Sequence, residues 1–184
     1  MGDTGQHVVQ TARTRLRLVS MEDVGYLHRL WTDPAVRRFF WDDEVITRRR
    51  AEAAIREAVE DFGRHGLGLW IPERRAGGGA PIGFCGLRHL DGGPEVEVLY
   101  GISPPDGGRG YATEISLAIL RYGFETNGLA RVWGIADAGN AASRRVLEKV
   151  GMTFEGCVVN DGREQARYTI RAEDPQPAST VARG

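Results

Sequence analysis

Apolar and acidic residues alternate along residues 95–100, which read EVEVLY. Val96, Val98 and Tyr100 fall on one side of this pattern, and a period of two is typical of a half-buried β-strand. The alternation ends at residues 104–108, PPDGG, where proline cannot donate to a sheet and glycine readily adopts positive φ. We therefore predict a strand followed at once by a turn.

A helix is predicted directly after this turn. Its apolar positions recur at helical spacing, at Ala112, Ile115, Ala118, Ile119 and Tyr122. A glycine-bearing loop that leads into a helix leaves several backbone N–H groups unpaired, with the positive end of the helix dipole behind them. Pyrophosphate suits such a site, although a plain turn before a helix has the same pattern.

Hydrophobic periodicity divides the rest of the chain into further elements. A short strand at residues 13–18 precedes a helix that Ser20 and Asp23 cap and that ends at Asp33-Pro34. The helix at residues 48–63 has an apolar inner face made of Ala51, Ala54, Ile55, Ala58, Val59 and Phe62. The predicted order is β-α-α-β-β-β-α-β-α-β-β, a mixed sheet covered by helices. The other predicted strands are residues 68–72, 81–90, 131–136, 153–159 and 165–171, and a last helix starts at residue 140.

The length of 184 residues suits one domain, which we assign to residues 13–171. Residues 1–12 and 172–184 are polar and aperiodic, and we expect them to be flexible tails. The 24 Lys and Arg residues are balanced by 25 Asp and Glu, and a net charge of −1 argues against a nucleic-acid partner.

The patterns of cysteine and of hydropathy further limit the class of protein. The two cysteines, Cys85 and Cys157, lie in strand-like runs without CxxC spacing, so we expect neither a disulfide framework nor a metal site. Cys85 is more typical of a buried small hydrophobe than of a nucleophile. No run reaches the ~18 apolar residues of a membrane span, and we expect a soluble, cytoplasmic protein without a membrane partner.

Four segments occur in this order: LRL at residues 16–18 with WTDP at 31–34, PIGFCGL at 81–87, GRGYATE at 108–114 and NAASRRVLEKVGM at 140–152. Together they resemble the GNAT acetyltransferase superfamily, and most of all its ribosomal-protein N-terminal acetyltransferases. The resemblance covers about residues 13–171. It implies a single α+β domain with a mixed, mostly antiparallel sheet of six to seven strands flanked by helices. It also implies that the sheet is splayed between the strand before the glycine loop and the strand after the loop's helix.

The resemblance implies acetyl-coenzyme A as cosubstrate and no metal. Gly108 and Gly110 would leave the backbone open to the pyrophosphate, because a Cβ atom would block that approach. The strand before the loop would pair with the pantetheine arm, which lies in the splay like an extra strand. The residues implied to bind the cofactor are Val98, Leu99, Tyr100, Gly108, Arg109, Gly110, Tyr111, Ala112, Thr113, Asn140 and Ser143. Pro105 and Gly107 depart from the residues usual in the family.

The catalytic candidates follow from the need for a neutral amine and a protonated leaving thiol. Glu97 is the first candidate for the base, since it lies in an otherwise apolar strand beside the expected thioester, although it could also point to solvent. Glu155 and Glu164 are weaker candidates. Ser143 could protonate the thiolate, and Tyr168 could act in its place or be a core tyrosine.

The helix that starts at Asn140 allows two interpretations. Asn140 fits a helix N-cap with Ser143 as its third residue, which a plain helix start explains equally well. In the family, the asparagine commonly binds the pantetheine side of the cofactor. Arg144 and Arg145 could meet the 3′-phosphate, although exposed helix arginines are the commoner case.

The resemblance implies acetyl transfer to a primary amine, either a protein N-terminus or a small molecule. A non-catalytic acyl-coenzyme A-binding domain is the alternative. An NAD-dependent oxidoreductase does not fit, because the loop lacks the third glycine of GxGxxG. Five aromatic residues could line the acceptor groove, or serve the core or the interface of a homodimer: Trp31, Phe39, Phe40, Trp41 and Trp70.

Overall fold

The alternating stretch belongs to strand β5 (Val96–Ile102), which lies inside one eight-stranded sheet. The structure is a computed structural model that describes residues 8–76, 78–175 and 177. The other strands are β1 (Val9–Gln10), β2 (Thr14–Leu18), β3 (Leu69–Arg74), β4 (Gly83–His89), β6 (Arg131–Asp137), β7 (Thr153–Asn160) and β8 (Arg163–Arg171).

Helices cover both faces of the sheet. They are α1 (Val24–Thr32), α2 (Pro34–Phe40), α3 (Arg48–His65), α4 (Tyr111–Arg121) and α5 (Ala141–Lys149), and a π-helical turn (Tyr122–Thr126) extends α4. The mixed α+β class is therefore confirmed. No helix in the described ranges is long and apolar enough to cross a membrane.

Local signals in the sequence set the start and end of the first helices. Ser20 and Asp23 form the predicted capping box: the Ser20 backbone N–H donates to Asp23 Oδ2 at 2.8 Å. Asp33 ends α1 in an extended conformation, and its carboxylate then accepts the Ala35 N–H, so that α2 begins at Pro34.

Seven neighbouring strand pairs make up the sheet, in the order β1-β2-β3-β4-β5-β6-β8-β7. Among the described residues only β5 and β6 are parallel, and their register contains just two pairs, Glu97 with Trp133 and Val98 with Gly134. Beyond Val98 the two strands separate. The predicted splay between these strands is therefore present, and it opens the sheet at its centre.

The two faces of β5 pack against different cores because its side chains alternate. Val96 and Val98 belong to the core under α4 and α5, whereas Leu99 belongs to the core under α1, α2 and α3. Val59 was predicted to lie on the inner face of α3, but it is 42% exposed. The apolar stripe of α3 is narrower than its composition indicated.

The N-terminal boundary was predicted wrongly. Val9–Gln10 forms strand β1 and pairs with Leu16 and Arg15, which gives eight strands instead of six or seven. A two-residue strand has too little periodicity to be recognised in a sequence. At the other end, the Ala172 N–H donates to the Ala130 carbonyl. Within the two predicted tails, residues 1–7, 176 and 178–184 lie outside the described residues.

Candidate active site

A cavity of about 730 Å³ occupies the place where β5 and β6 separate. Residues of both diverging strand ends line it, among them Tyr100 and Ile102 on β5 and Ala136 on β6. The glycine loop and the start of α5 close its sides, and the β7–β8 hairpin contributes Arg163 and Gln165. The cavity therefore lies where the side of β5 that faces β6 has no strand paired with it.

The glycine loop has the geometry of an anion site. Gly108 and Gly110 adopt φ of 71° and 79°, a region that disfavours other residues, and no neighbour would fill the space of a Cβ at Gly108. The first intrahelical bond of α4 runs from the Glu114 N–H to the Gly110 carbonyl. The preceding N–H groups of the helix, at residues 111–113, therefore remain free, and these residues line the cavity.

Arg13, the residue directly before strand β2, stabilises the glycine loop. The Arg13 guanidinium donates to the Arg109 carbonyl at 2.8 Å, lies 4.4 Å from the ring centre of Tyr111 and pairs with Glu114. Thr11 also donates to the Glu114 carboxylate. Burial alone raises the pKa of Glu114, but these hydrogen bonds outweigh burial and hold that pKa below its ordinary value.

The buried carboxylate of Asp106 stabilises the turn that precedes the glycine loop. Asp106 is 7% exposed, accepts the Ser103 hydroxyl at 2.8 Å and lies 3.5 Å from the Arg74 guanidinium. Pro104–Asp106 forms a single helical turn around it. Pro105, a departure from the family's usual pattern, therefore lies in an ordered turn.

Ser143 and Tyr100 meet at the cavity wall. Their hydroxyl oxygens are 2.8 Å apart, and the Tyr100 hydroxyl also donates to the Ser143 carbonyl at 3.0 Å. Burial raises the pKa of Tyr100 well above its ordinary value, so the phenol remains protonated at neutral pH. Asn140 caps α5 by accepting the Ser143 N–H at 3.0 Å, which leaves its amide N–H groups available.

Glu97 lies at the edge of both cores and lines the cavity. It is 7% exposed, and its carboxylate accepts the Arg88 Nε–H at 2.7 Å. Arg88, on the neighbouring strand β4, is itself largely exposed. The ion pair fixes the position of the Glu97 side chain at the cavity wall.

Several predicted site residues lie elsewhere. Tyr168 is fully buried and outside the cavity wall, with its hydroxyl between Arg144 Nε at 3.1 Å and Glu148 Oε1 at 3.2 Å. This position is that of a core tyrosine, the alternative left open in the sequence, and the same contact turns Arg144 away from the cavity. Arg145 does line the cavity. Neither Glu155 nor Glu164 lines it, and the Arg109 side chain does not either.

The aromatic residues divide into two groups. Phe39 and Phe40 line the cavity, and Trp31 and Trp41 pack beside Phe40 with ring centres 5.8 and 5.4 Å away. Trp70 is fully buried under α4, where its ring lies 5.0 Å from that of Tyr122. Trp70 is therefore a core residue, which is one of the roles predicted for these aromatic side chains.

Three contributors to the site have no local signal in the sequence: the Arg13 contact, the Arg88 partner and the Tyr100 hydroxyl. Each acts on a residue that is distant in the chain or on a neighbouring strand. The Arg88 contact could have been predicted from the pairing register of β4 and β5, because that register places Arg88 opposite Glu97. In the described part of the chain, no group of His, Cys, Asp and Glu side chains is arranged to hold a metal ion.

Comparisons with known proteins agree with this geometry. The family model for the acetyltransferase (GNAT) domain matches residues 13–153. The uncharacterized protein YkkB of Bacillus subtilis is 30% identical over 147 residues, 78% of this chain and 84% of YkkB.

Solved structures of two acetyltransferases share the fold. The spermidine N-acetyltransferase of Vibrio cholerae, solved with CoA and spermine, has a TM-score of 0.75 at 17% identity, covering 89% of this chain and 98% of its own. An acetyltransferase of Salmonella typhimurium that modifies the N-terminal serine of ribosomal protein L7/L12 has a TM-score of 0.74 at 15% identity. That match covers 90% of this chain and 99% of the other.

Proposed function

The chain belongs to the GNAT acetyltransferase family, and from this premise we propose that it transfers acetyl from acetyl-coenzyme A directly to a primary amine. The observation that carries the proposal is the separation of β5 from β6 beneath a loop of free N–H groups. This arrangement places two features in one cavity: an anion-binding site, and a gap in the sheet where an extended molecule can pair with β5 like a further strand.

The cofactor fits the cavity by charge and by shape. The pyrophosphate would accept N–H groups at residues 108–113, and Arg145 would add positive charge. The pantetheine arm would lie along Val98, Leu99 and Tyr100, with the Asn140 amide as a further donor. Bound there, acetyl-coenzyme A supplies the activated acyl group.

The transfer step uses groups on both sides of β5. The amine must be neutral to attack, so Glu97 takes its proton directly or through a water. The new C–N bond forms as the C–S bond breaks, the nitrogen releases its second proton to water, and the leaving thiolate takes a proton from the Ser143 hydroxyl. Tyr100, hydrogen-bonded to Ser143, can replace that proton. Ser143→Ala is expected to lower kcat about tenfold at unchanged acetyl-coenzyme A affinity, and an unchanged kcat would exclude this role.

The acceptor is an amine of one of two classes, a small polyamine-like molecule or a protein N-terminus. Relatives of both classes have the same fold, since one acetylates spermidine and another the N-terminal serine of a ribosomal protein. The acceptor would approach over Phe39 and Phe40, which line the cavity on the α2 side.

Thermal denaturation with acetyl-coenzyme A tests the cofactor assignment. We expect acetyl-coenzyme A to stabilise the wild type by roughly 2.7 kcal/mol at a hundredfold excess over Kd, and not to stabilise Gly110→Trp. Gly128→Trp is the matched control, because Gly128 also has positive φ and open space but does not line the cavity. If acetyl-coenzyme A fails to stabilise the wild type, the cofactor site is wrong.

Thiol release with a panel of amines tests the reaction itself. Free coenzyme A should appear only when acetyl-coenzyme A and an acceptor amine are both present. Stabilisation by acetyl-coenzyme A without thiol release for any amine would favour the non-catalytic binding domain instead.

A further inference from the structure

A second cavity, of about 530 Å³, lies on the other side of the sheet opening. It contacts β5 only at Glu97 and Leu99, the two residues that point towards α1, α2 and α3. Trp31, Phe40 and Trp41 form an apolar wall. This space therefore adjoins the reaction centre from the face opposite α4.

One stripe of side chains on helix α3 lines this second cavity. The stripe consists of Ala54, Glu57, Ala58 and Asp61, at positions i, i+3, i+4 and i+7. The two alanines leave room beside the helix, and the two acidic residues bring negative charge to the wall. A stripe whose only purpose was packing would carry apolar residues at all four positions.

The charge of the second cavity is strongly one-sided. Its wall carries four carboxylates, from Glu57, Asp61, Asp91 and Glu97, and one guanidinium, from Arg88. Arg88 is already paired with Glu97. Within the described residues, the other three carboxylates form no hydrogen bond or ion pair, and a cleft lined by unpaired charge of one sign concentrates ions of the opposite sign.

Two buried donors in the wall of the second cavity have no acceptor among the described residues. Trp31 is 1% exposed, yet its indole N–H has no hydrogen-bond partner among the residues that the structure describes. Trp41, in the same wall, likewise has a buried indole N–H without a partner. Buried polar groups in proteins are nearly always satisfied by protein, water or ligand.

The two cavities share part of their walls, so one molecule can reach from one to the other. Glu97, Leu99 and Phe40 line both. An acceptor that lies in the second cavity can therefore present one amino group at Glu97, where the proposed transfer occurs. Its remaining length would lie against the aromatic wall and end near α3.

We propose that the second cavity binds the distal ammonium group of a linear aliphatic diamine or polyamine, the acceptor of this enzyme. Glu57 and Asp61 hold the distal charge, and Trp31, Phe40 and Leu99 contact the methylene chain. The assignment rests on the proposed acetyl transfer. It predicts that the enzyme selects its acceptor by the number of positive charges on it as well as by the reacting amino group.

Steady-state kinetics with three amines of equal length test the assignment. We expect kcat/KM for diaminopentane to exceed the values for pentylamine and aminopentanol at least tenfold. The double variant Glu57→Gln, Asp61→Asn should remove this preference by lowering kcat/KM for diaminopentane to the pentylamine value. Glu60→Gln is the control, because Glu60 lies on the same helix, pairs with Arg64 and does not line the cavity. Equal kcat/KM for all three amines, or a preference that survives the double variant, would overturn the proposal.

Tryptophan fluorescence supplies a readout that is independent of catalysis. Titration of the wild type with diaminopentane should change the emission of Trp31 and Trp41 at concentrations at which pentylamine has no effect. The double variant should require at least tenfold more diaminopentane. Pentylamine acetylation without any selective diamine response would leave the proposed function standing and refute the diamine site. Absence of transfer to any amine would refute the proposed function, while the fluorescence titration would still decide the diamine site.

Discussion

The two faces of strand β5 form their sites from different chemical groups. On the face of Val98 and Tyr100, the site consists mainly of backbone N–H groups at a glycine loop and a helix start. On the face of Glu97 and Leu99, it consists of side chains from three helices and a neighbouring strand. A backbone site tolerates most changes of side chain, whereas the acceptor side depends on each residue. We therefore expect specificity to lie on the Glu97 face.

The largest expected effect is that of Glu97→Gln. Amide oxygens are far weaker proton acceptors than carboxylates, so kcat should fall by ~100-fold while the Kd of acetyl-coenzyme A stays unchanged. Steady-state kinetics and calorimetric titration measure the two quantities. Glu95→Gln, on the same stretch but outside both cavities, is the control. A loss of acetyl-coenzyme A binding in Glu97→Gln would show that a change on the Glu97 face of β5 also impairs the cofactor site on the other face.

The cofactor side should respond to Arg13→Ala. This variant removes the donor to the Arg109 carbonyl and the ion pair with Glu114, so the glycine loop loses its support. The Kd of acetyl-coenzyme A should rise about tenfold, which corresponds to about 1.4 kcal/mol, with little change in kcat at saturation. Arg15→Ala, an exposed position on strand β2, should leave Kd unchanged. A fall in saturated kcat without a change in Kd would contradict a positioning role for Arg13.

The smallest expected effect concerns pH and the Glu114 carboxylate. The pKa of Glu114 in the folded state lies below its ordinary value of 4.5, so the ionised carboxylate stabilises the fold above pH 4.5 and this contribution is lost as pH falls further. Glu114→Gln should unfold about 1 kcal/mol more easily than the wild type at neutral pH. Urea denaturation should show the difference shrinking below pH 4.5. A difference that is constant with pH would mean that the charge is not involved.

Much of the cofactor side could be predicted from the sequence. The period of two along residues 95–100, the glycines of the loop and the caps at Ser20 and Asn140 are local signals, and the structure contains each of them. Such features depend on the backbone geometry of a few consecutive residues. The mixed sheet followed from the predicted order of elements, and its splay followed from the resemblance that these segments carry.

The alternatives that stayed open and the errors occurred where the outcome depends on which surface another element covers. Tyr168 and Trp70 were equally suited to a site and to a core, and packing under α5 and α4 placed both in the core. Val59 fits the helical stripe by spacing but faces outward, because α3 meets the sheet over a narrow strip. Val9 and Gln10 become a strand only because β2 is beside them.

The sequence by itself determined the elements, their caps and the loop of free N–H groups, since each arises from the conformational preferences of neighbouring residues. The tertiary structure alone decided which distant groups act together: Arg13 at the glycine loop, Arg88 at Glu97, Tyr100 at Ser143, and the acidic stripe of α3 beside the aromatic wall. These contacts join residues of different elements, and strand order and helix rotation, not local preference, bring them within bonding distance.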